Sequence, residues 1–483
     1  MVAKKDLIRI EDWLWEVPQS FRSDMRAPAR LYADERFLTS ALQDRSIEQL
    51  INTATLPGIV GWALAMPDIH QGYGFPIGGV VAVRYPDGVI SPGGVGYDIN
   101  CGVRLLASSL DADQIRPHVG ALISSIYTHV PSGVGSSGGI RLSPDQMDGV
   151  LREGARWAVG RGYGAPDDLA HLESQGAILS ALPAEVSKRA RERGRDQLGT
   201  LGSGNHFLEI DRVTEILDAQ VADAFGLFEG QVALQIHSGS RGLGHQVCDD
   251  FLHGMQKTAA KYNIALPDRE LVSVPIESPE GQAYLGAMAA AANFAWANRQ
   301  IMAHLARQAF DKVLAPHARN RELFTVYDVA HNIAKIEEHT VHGHRMKVCV
   351  HRKGATRAFG PGNPELGAAY RKVGQPVLVP GDMGRASYVL VGTNEAMEAS
   401  FGSTCHGAGR VLSRSAAKRE VRGSDLKSEL EARGIEVRAG NLSGLAEEAP
   451  QAYKDIDDVV SIVERAGLAR RVARLEPMAV MKG

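Results

Sequence analysis

The segment from Gly94 to Arg104 constrains this chain more than any other, because it places Asp98 and Cys101 three residues apart in glycine-rich backbone. A carboxylate and a thiolate at this spacing can bind one divalent cation together, and glycine lets the backbone approach a ligand closely. Taken alone, the pair also fits a structural turn, in which aspartate caps the chain and cysteine is a small buried residue. Other ligands in the chain are needed to decide between these interpretations.

Three histidines differ from the rest, because each stands at the end of an apolar, strand-like segment beside a small or amide residue. They are His206, His237 and His331. A buried histidine is usually satisfied by hydrogen bonds, but a ring at the edge of a sheet faces a cleft. Sulfur, oxygen and imidazole ligands together suit a transition metal such as zinc or manganese better than calcium or magnesium. The sequence therefore predicts a transition-metal site.

Composition narrows the class of protein. Of 483 residues, 44% are hydrophobic and 23% are charged, which is ordinary for a globular protein. A formal net charge of −3 predicts no global attraction to nucleic acid or membrane, but it leaves room for a local basic groove. The four cysteines form no C-x-x-C pair, which excludes a zinc knuckle and fits a reducing cytoplasm. No apolar run reaches membrane-spanning length, so we expect a cytoplasmic protein without a membrane partner.

Predicted strands and helices mix without strict alternation, which favours an α+β fold over a doubly wound sheet. The patterns predict a long helix over Pro279 to Leu314 and another over Gly407 to Arg419. The first sixty residues read as mixed and partly helical. No linker or repeat divides the chain, so we expect one large domain over residues 1–483.

Two glycine-rich loops, Gly202 to His206 and Pro380 to Gly384, are candidates for binding phosphate, because such loops expose amide N–H groups to anions. Neither loop matches a P-loop, and no convincing dinucleotide-binding fingerprint follows a strand. His406 stands where we predict the start of a helix, with Arg410 and Arg414 on one helical face. This segment fits either a solvated basic face or a phosphate site in which His406 is a nucleophile.

From about Met66 to Gly483 the chain resembles the RtcB-type RNA-splicing ligases, which use GTP and manganese to join a 3′-phosphate or 2′,3′-cyclic phosphate to a 5′-hydroxyl. The resemblance is carried by seven motifs in order, found at Pro67 to Gly79, Gly93 to Arg104, Leu201 to Glu209, His237 to Gly244, Tyr327 to Asn332, His406 to Arg410 and Met481 to Gly483. It implies an RtcB-like fold with a central cleft for metal and nucleotide.

The resemblance also implies roles for individual residues. Asp98, Cys101 and His206 would hold one Mn²⁺, and Cys101 would bridge to a second Mn²⁺ held by His237 and His331. His406 would attack the α-phosphate of GTP to form a histidine–GMP intermediate. The guanylate would be surrounded by Asn205, His206, Phe207, Leu208, Glu209, His331, Asn332, Pro380, Gly381, Asp382, Met383, Ser387, His406, Gly407, Ala408, Gly409 and Lys482.

Partners follow from the same resemblance. Arg241 and Arg410 would bind RNA phosphates, and the substrates would be RNA ends with a 3′-phosphate or 2′,3′-cyclic phosphate and a 5′-hydroxyl, such as tRNA halves. An archease-type activator is a further expected partner.

The chain departs from the family pattern at Asp382, where we expect a small hydroxyl residue, and at Cys405, where we expect a small residue. A carboxylate at position 382 would repel a triphosphate unless it points away or pairs, for example with Arg385.

Two other functions use the same residues. A binuclear metallohydrolase would activate water with these ligands, and His406 would then be a general acid with no need for GTP. A nucleic-acid-binding protein with a structural metal is the second alternative. Structural sites are usually closed and four-coordinate, with ligands clustered in pairs, so the dispersed ligands in this chain disfavour it.

Overall fold

The computed structural model describes residues 2–483 of the chain. Its strands are β1 Ile8–Glu11, β2 Leu14–Val17, β3 Ala29–Tyr32, β4 Ile59–His70, β5 Ile77–Arg84, β6 Val89–Ile90, β7 Gly102–Asp111, β8 Phe207–Ile216, β9 Gln231–Ser238, β10 Val274–Pro275, β11 Leu323–Ala330, β12 Asn332–Val341, β13 His344–Lys353, β14 Ala355–Arg357, β15 Pro376–Val379, β16 Ser387–Gly392, β17 Ser403–Cys405, β18 Glu436–Ala439 and β19 Ala469–Lys482.

The α-helices alternate with groups of these strands along the chain. They are α1 Glu35–Ala41, α2 Ser46–Thr53, α3 Ala112–Ile115, α4 Val119–His129, α5 Pro144–Glu153, α6 Ala155–Gly160, α7 Lys188–Gly194, α8 Ala219–Phe225, α9 Arg241–Thr258, α10 Pro279–Leu314, α11 Asn394–Ala399, α12 Arg414–Glu420, α13 Gly423–Ala432, α14 Leu442–Glu447 and α15 Ile456–Arg465.

Two large sheets organise the molecule. One has seven strands in the order β1-β2-β3-β4-β5-β13-β12, and the other has the order β11-β7-β9-β8-β19-β16-β15 with β18 added beside β19. The pairs β3–β4 and β18–β19 are parallel, and the remaining neighbours in these two sheets are antiparallel. Largely antiparallel sheets with separate helices form an α+β fold, so the predicted fold class is confirmed.

The long helix α10 begins and ends where the sequence predicts, at Pro279 and Leu314. The side chain of Ser278 caps its first turn by accepting a hydrogen bond from the Gly281 amide. Most of the helix is buried, including the polar residues Asn298 and Arg299, which are fully buried. In residues 2–483 no helix is both long enough and apolar enough to cross a lipid bilayer. The helix is instead an internal element that brings polar groups towards the sheet.

Alternation along β8 positions one wall of the site. Leu208 and Ile210 pack into an apolar core with residues of β9 and α10. Phe207 and Glu209 lie on the opposite face of the strand, because successive side chains of a strand point to opposite sides of the sheet. Both of these residues line a cavity that is described below. A single strand thus contributes to the core and to the site.

The helix predicted over Gly407 to Arg419 is wrong before Arg414 and confirmed from Arg414 to Arg419. Ser403–Cys405 forms β17, which pairs with β14, and α12 begins only at Arg414. Gly409 explains the loop between them, since its φ is +75° and an added Cβ would lie 2.2 Å from the Asp68 carbonyl oxygen. Such close backbone contact with a left-handed φ is incompatible with a helix. His406 therefore follows a strand and does not lie at a helix N-terminus.

Sequence patterns also missed β19, which is central in its sheet and pairs with β8, β16 and β18. Charged residues, among them Arg470, Arg474 and Glu476, interrupt its apolar pattern, as does Pro477. The alternation becomes clear only when tertiary neighbours are known. The first sixty residues are mixed, as expected, but they contain the three strands β1, β2 and β3 in addition to helices.

Candidate metal and nucleotide site

The five predicted ligands form one continuous row of donor atoms. Asp98 Oδ2 lies 2.8 Å from His206 Nε2, which lies 3.4 Å from Cys101 Sγ. Cys101 Sγ lies 3.3 Å from His237 Nε2, which is 3.3 Å from His331 Nε2. These atoms form two groups of potential metal ligands that share Cys101. The structure therefore brings together all five residues, and it places the thiol between the two groups.

The Asp98 loop owes its shape to two local features. Asn100 has a φ of +51°, a conformation that asparagine tolerates better than most residues. Gly239 lies directly against Asp98, because a Cβ at position 239 would be 2.3 Å from Asp98 Oδ1. The same carboxylate oxygen accepts a hydrogen bond of 3.1 Å from the amide of Ser240. Asp98 is thus oriented by the segment that follows His237 in the chain.

A buried guanidinium ties the ligand-bearing segments together. Arg299 of α10 donates to the Asn100 carbonyl at 2.7 Å and to the Ser238 carbonyl at 2.8 Å. It also forms a bidentate pair with Asp328 of β11, at 2.7 and 2.9 Å. Arg104 of β7 donates to the same carboxylate at 2.8 Å. Asn100, Ser238 and Asp328 lie close in sequence to Cys101, His237 and His331, so this network fixes the ligands relative to one another.

The protonation of the ligands fits a cation site. Burial, followed by repulsion from Asp98, raises the pKa of the Cys101 thiol well above its usual range. Burial lowers the pKa of His237 and of His331, which keeps both rings neutral and able to bind a metal. The Nδ1 atoms of these two rings are buried without a hydrogen-bond partner. His206 Nδ1 lies 2.9 Å from the Leu201 carbonyl, which leaves Nε2 for a metal.

A divalent cation between these donors would lower the pKa of the Cys101 thiol, since a bound metal stabilises a coordinating thiolate. Burial opposes ionisation of Asp98, but the neighbouring His206 outweighs burial and lowers the pKa of the carboxyl group. One carboxylate, one thiol and three imidazoles form a donor set that suits a transition metal. The residues therefore fit two cations that share Cys101.

His406 lies beside the His331 end of the row. The centroids of the two rings are 4.7 Å apart. His406 Nδ1 lies 2.6 Å from Asp68 Oδ2, and the His406 amide donates to the same oxygen at 3.0 Å. Asp68 is completely buried. A carboxylate at Nδ1 favours the tautomer with its proton on that nitrogen, so Nε2 keeps a lone pair for reaction.

A cavity of about 250 Å³ opens over the ligand row and His406. The predicted residues that line it are Asp98, Cys101, Asn205, Phe207, Glu209, His237, His331, Asn332, Pro380, Gly381, Asp382, Met383, His406, Gly407, Ala408, Gly409, Arg410 and Lys482. Sequence reasoning gave no site role to Ile77, Gly354, Glu448 or Tyr453, which line it too. Glu448 and Tyr453 lie between α14 and α15, outside every motif identified in the sequence.

Buried ionisable groups form another part of the cavity wall, close to Phe207, whose ring centroid lies 5.2 Å from that of His237. Burial lowers the pKa of Lys482, although Glu448 and Glu209 favour its charged form. Burial, followed by Asp211, raises the pKa of Glu209 well above its usual range. Burial opposes the charge on Glu448 as well, but Lys482 and Arg410 lower its pKa. The Lys482 ammonium lies 5.3 Å from the centroid of the Phe207 ring. This wall therefore offers a hydrogen-bond donor, carboxyl groups and an aromatic face within one pocket.

Four predicted residues lie outside the lining of the cavity. Leu208 packs into the apolar core, His206 lies behind the cavity among the metal ligands, and Ser387 accepts a hydrogen bond of 3.3 Å from the Gly381 amide. Arg241 is 8% exposed, and burial lowers the pKa of its guanidinium. Its Nη1 lies 3.5 Å from His206 Nδ1. Arg241 is therefore beside the metal ligands instead of inside the pocket.

Arg410 lines the cavity but is engaged by protein groups. It donates to Glu448 at 3.2 Å, to the Glu447 carbonyl at 2.7 Å and to the Leu412 carbonyl at 3.0 Å. These contacts hold the loop after His406 against the segment that follows α14. Arg410 thus has a structural role in addition to any contact with an anion.

The two departures from the family pattern are accommodated locally. Asp382 Oδ1 accepts a hydrogen bond of 2.9 Å from the Gly384 amide, and Oδ2 lies 3.5 Å from Arg385 Nε. Burial raises the pKa of Asp382, although the Gly384 amide and Arg385 favour its charged form. Cys405 is completely buried, and burial raises its pKa well above the usual range. Cys405 is therefore a small packed side chain. Its burial also protects it from oxidation, because only an accessible thiolate is readily oxidised.

Comparison with known proteins gives consistent matches. The family model described as tRNA-splicing ligase RtcB matches residues 49–483. The tRNA-splicing ligase RtcB of Thermococcus kodakarensis is 56% identical over 477 residues, which cover 99% of each chain. The protein of the same name from Archaeoglobus fulgidus is also 56% identical over 477 residues and 99% of each chain. That of Methanococcus maripaludis is 50% identical over 480 residues, 99% of this chain and 100% of its own.

Replacing Arg299 by methionine should lower the free energy of unfolding by about 3–5 kcal/mol, because Asp328 would be left as a buried charge that has lost its bidentate partner. Equilibrium denaturation by urea measures this loss. Lys312→Met is the matched control, since Lys312 lies on the exposed face of the same helix and its replacement should change the free energy by less than about 0.5 kcal/mol. Equal effects of the two substitutions would contradict the role of Arg299.

Titration with Co²⁺ should produce a thiolate-to-cobalt charge-transfer band in the wild-type protein. Cys101→Ala should abolish the band and reduce the number of bound ions, because both ligand groups include the Cys101 sulfur. Cys349→Ala is the control, since Cys349 is also fully buried but lies on β13. Absorption spectroscopy combined with equilibrium dialysis gives both readouts. A band that survives in Cys101→Ala would exclude the shared-thiolate site.

Proposed function

The chain belongs to the tRNA-splicing ligase RtcB family, and from this premise we propose that it is a GTP- and manganese-dependent RNA ligase that works through a histidine–GMP intermediate. The family assignment confirms the resemblance read from the motifs and makes the protein an RNA ligase of tRNA splicing. The dependence on GTP and Mn²⁺, the chemistry of the RNA ends and a role in RNA repair are our proposals. We also propose that residues 1–483 act as one ligase domain.

One observation carries the proposed chemistry: a histidine held by a buried carboxylate lies against the row of metal ligands. Asp68 engages His406 Nδ1 at 2.6 Å, and the His331 ring is 4.7 Å from the His406 ring between centroids. A general acid would need a proton on the nitrogen that faces the substrate. The Asp68 contact favours the opposite tautomer, in which Nε2 is a nucleophile.

In the first step we propose that His406 Nε2 attacks the α-phosphorus of GTP. A P–N bond forms, the bond from the α-phosphorus to the bridging oxygen breaks, and pyrophosphate leaves with the electron pair. The imidazole becomes cationic as the bond forms, and the Asp68 carboxylate stabilises that charge through Nδ1–H. Two divalent cations held by Asp98, Cys101, His206, His237 and His331 would neutralise the phosphate oxygens during this displacement.

The lining of the cavity supports binding of a guanine nucleotide. Guanine presents N–H donors on one edge, which match the carboxyl group of Glu209, and a carbonyl oxygen, which matches the ammonium of Lys482. Phe207 and Tyr453 add aromatic surface. The backbone of Gly407 to Gly409 and of Pro380 to Met383 lines the cavity as well. Asn205 adds an amide group to the lining, and the Asn332 amide donates to the Asp98 carbonyl at 3.1 Å.

In the second step an oxygen of the RNA 3′-phosphate attacks the phosphorus of the histidine–GMP, and the P–N bond breaks to free His406. The RNA then ends in a 3′-diphosphate linked to guanosine. In the third step the 5′-hydroxyl oxygen attacks the 3′-phosphorus, loses its proton and releases GMP. A 2′,3′-cyclic phosphate is first opened by water. We propose that Arg241 and Arg410 bind RNA phosphates during these steps.

The physiological setting follows from the same proposal. We propose that tRNA halves are substrates, that an archease-type protein activates the enzyme and that the reaction takes place in the cytoplasm.

The binuclear hydrolase remains the competing function for the same ligands. It predicts no covalent nucleotide adduct, so labelling of the protein by GTP distinguishes the two.

Incubation with α-labelled GTP and Mn²⁺ should leave label on the denatured protein that acid removes and alkali preserves, as expected of a phosphoramidate. His406→Ala should abolish the label, because no other ring nitrogen is held in the same way by Asp68. His253→Ala is the control, since His253 is an exposed residue of α9 and should label like the wild type. Absence of label from the wild-type protein with GTP would overturn the proposal in favour of a hydrolase.

Asp68→Asn should slow the formation of the adduct by roughly 10²–10⁴-fold, the usual contribution of a positioned proton-holding group. The amide keeps the size of the side chain but cannot stabilise the cationic ring. Rapid-quench labelling with saturating GTP measures the rate, and circular dichroism verifies folding. The matched substitution Asp87→Asn, in an exposed turn, should leave the rate unchanged. A rate for Asp68→Asn within twofold of the wild type would contradict the role of Asp68.

A further inference from the structure

Three aromatic rings form a row on the surface beside the metal ligands. Tyr97 lies in the middle, with its ring centroid 6.0 Å from that of His245 and 5.5 Å from that of Tyr73. His245 is exposed, and both tyrosines are partly exposed. We call these three residues the aromatic strip. Both tyrosines contact the main apolar core, so each ring has packed and accessible surface.

The aromatic strip adjoins the end of the ligand row that is farthest from His406. Tyr97 directly precedes Asp98 in the chain, and His245 lies in the second turn of α9, the helix that starts just after Ser240. Ser240 donates to Asp98 through its amide. None of the three rings is among the residues that line the nucleotide cavity. The strip therefore lies outside the proposed guanylate pocket but within one residue of a metal ligand.

Charges of both signs surround the aromatic strip. Arg193 donates to Gln246, the neighbour of His245, at 3.0 Å, and Arg241 begins the same helix. At the other end, Glu270 accepts a hydrogen bond of 2.8 Å from the amide of Gly74, next to Tyr73. Lys353 also lies at the tyrosine end, with its ammonium 5.9 Å from the centroid of the Tyr73 ring, and Asp249 follows His245 by one turn of α9. Because charges of both signs flank the rings, the accessible ring surface suits a flat, uncharged group better than a phosphate.

We propose that the aromatic strip stacks a nucleobase of the RNA strand whose end enters the metal centre, while phosphates of that strand lie towards Arg193 and Arg241. Accessible aromatic rings near cationic side chains are an arrangement by which proteins hold single-stranded nucleic acid with little sequence preference. Beside the strip Arg193 is exposed, whereas Arg241 is 8% exposed. This inference rests on the proposed RNA ligase function. It gives a role in RNA binding to a part of the surface that lies outside the nucleotide cavity and the metal ligands.

The test uses the full-length protein and fluorescently labelled RNA oligonucleotides that carry either a 3′-phosphate or a 5′-hydroxyl at the end to be joined. Binding is measured by fluorescence anisotropy, and ligation is measured separately. Tyr97→Leu and His245→Ala should each weaken binding of at least one strand by about 10-fold, the effect expected from loss of one stacked base. Tyr97→Phe should bind like the wild type, because it keeps the ring.

An abasic nucleotide identifies the stacked position. If one base stacks on the strip, removing that base should weaken binding to the wild type by about 10-fold, and it should leave binding to Tyr97→Leu unchanged. Tyr163→Leu is the matched control, since Tyr163 is also partly exposed and lies 5.5 Å from a histidine ring between centroids, but it is remote in sequence from every metal ligand. It should bind RNA like the wild type.

Two outcomes would overturn the inference: equal binding by Tyr97→Leu, His245→Ala and the wild type, or a loss that is the same for intact RNA and for RNA abasic at each of the first three positions. Labelling of His406 by GTP separates this failure from failure of the proposed function. The strip variants should form the adduct at the wild-type rate if only RNA stacking is lost. Because anisotropy needs no ligation, the stacking inference is tested even by a protein that does not label.

Discussion

The buried pair of Arg299 and Asp328 is the interaction on which the site depends. Neither side chain is exposed, and each nitrogen of the Arg299 guanidinium has a partner. A buried ion pair contributes little net stability when both charges must be desolvated, but it imposes geometry because its loss leaves an uncompensated charge. Here that geometry is the relative position of the Asp98 loop, the end of β9 and the end of β11. The salt bridge thus positions the potential metal ligands, although neither of its two residues is itself a ligand.

This arrangement explains why the ligands are dispersed in the sequence. Asp98 and Cys101 come from one loop, His206, His237 and His331 come from three different strand ends, and the sheet brings these segments to one place. A chain of contacts then runs from Asp98 through Cys101 to His331 and on to His406. The potential metal ligands and the proposed nucleophile are therefore parts of one unit, while the cavity opens to one side and the aromatic strip adjoins the other end. A fixed framework of this kind suits reactions that depend on positioning of phosphates.

Sequence alone identified the residues whose chemistry is visible in their type and surroundings. Asp98, Cys101 and the three histidines stood out because their side chains are suited to metals, and α10 was predicted to its ends because its apolar pattern is long. The segment from Gly407 to Ser413 was misread as the first half of a helix, since local composition does not reveal that Gly409 packs against Asp68. Glu448 and Tyr453 carry no local signal at all. Likewise β19 is stabilised by its neighbours on both sides, so its own pattern of charges was misleading.

The central claim is that five side chains form a shared two-cation centre next to one reactive imidazole. Anomalous diffraction at the manganese edge, from crystals grown with Mn²⁺ and a GTP analogue that resists cleavage at the α-phosphorus, tests this most directly. We expect two anomalous peaks, both within bonding distance of the Cys101 sulfur, with His406 Nε2 facing the α-phosphorus. A single ion, ions bound away from Cys101, or a nucleotide whose α-phosphorus lies out of reach of His406 would contradict the account.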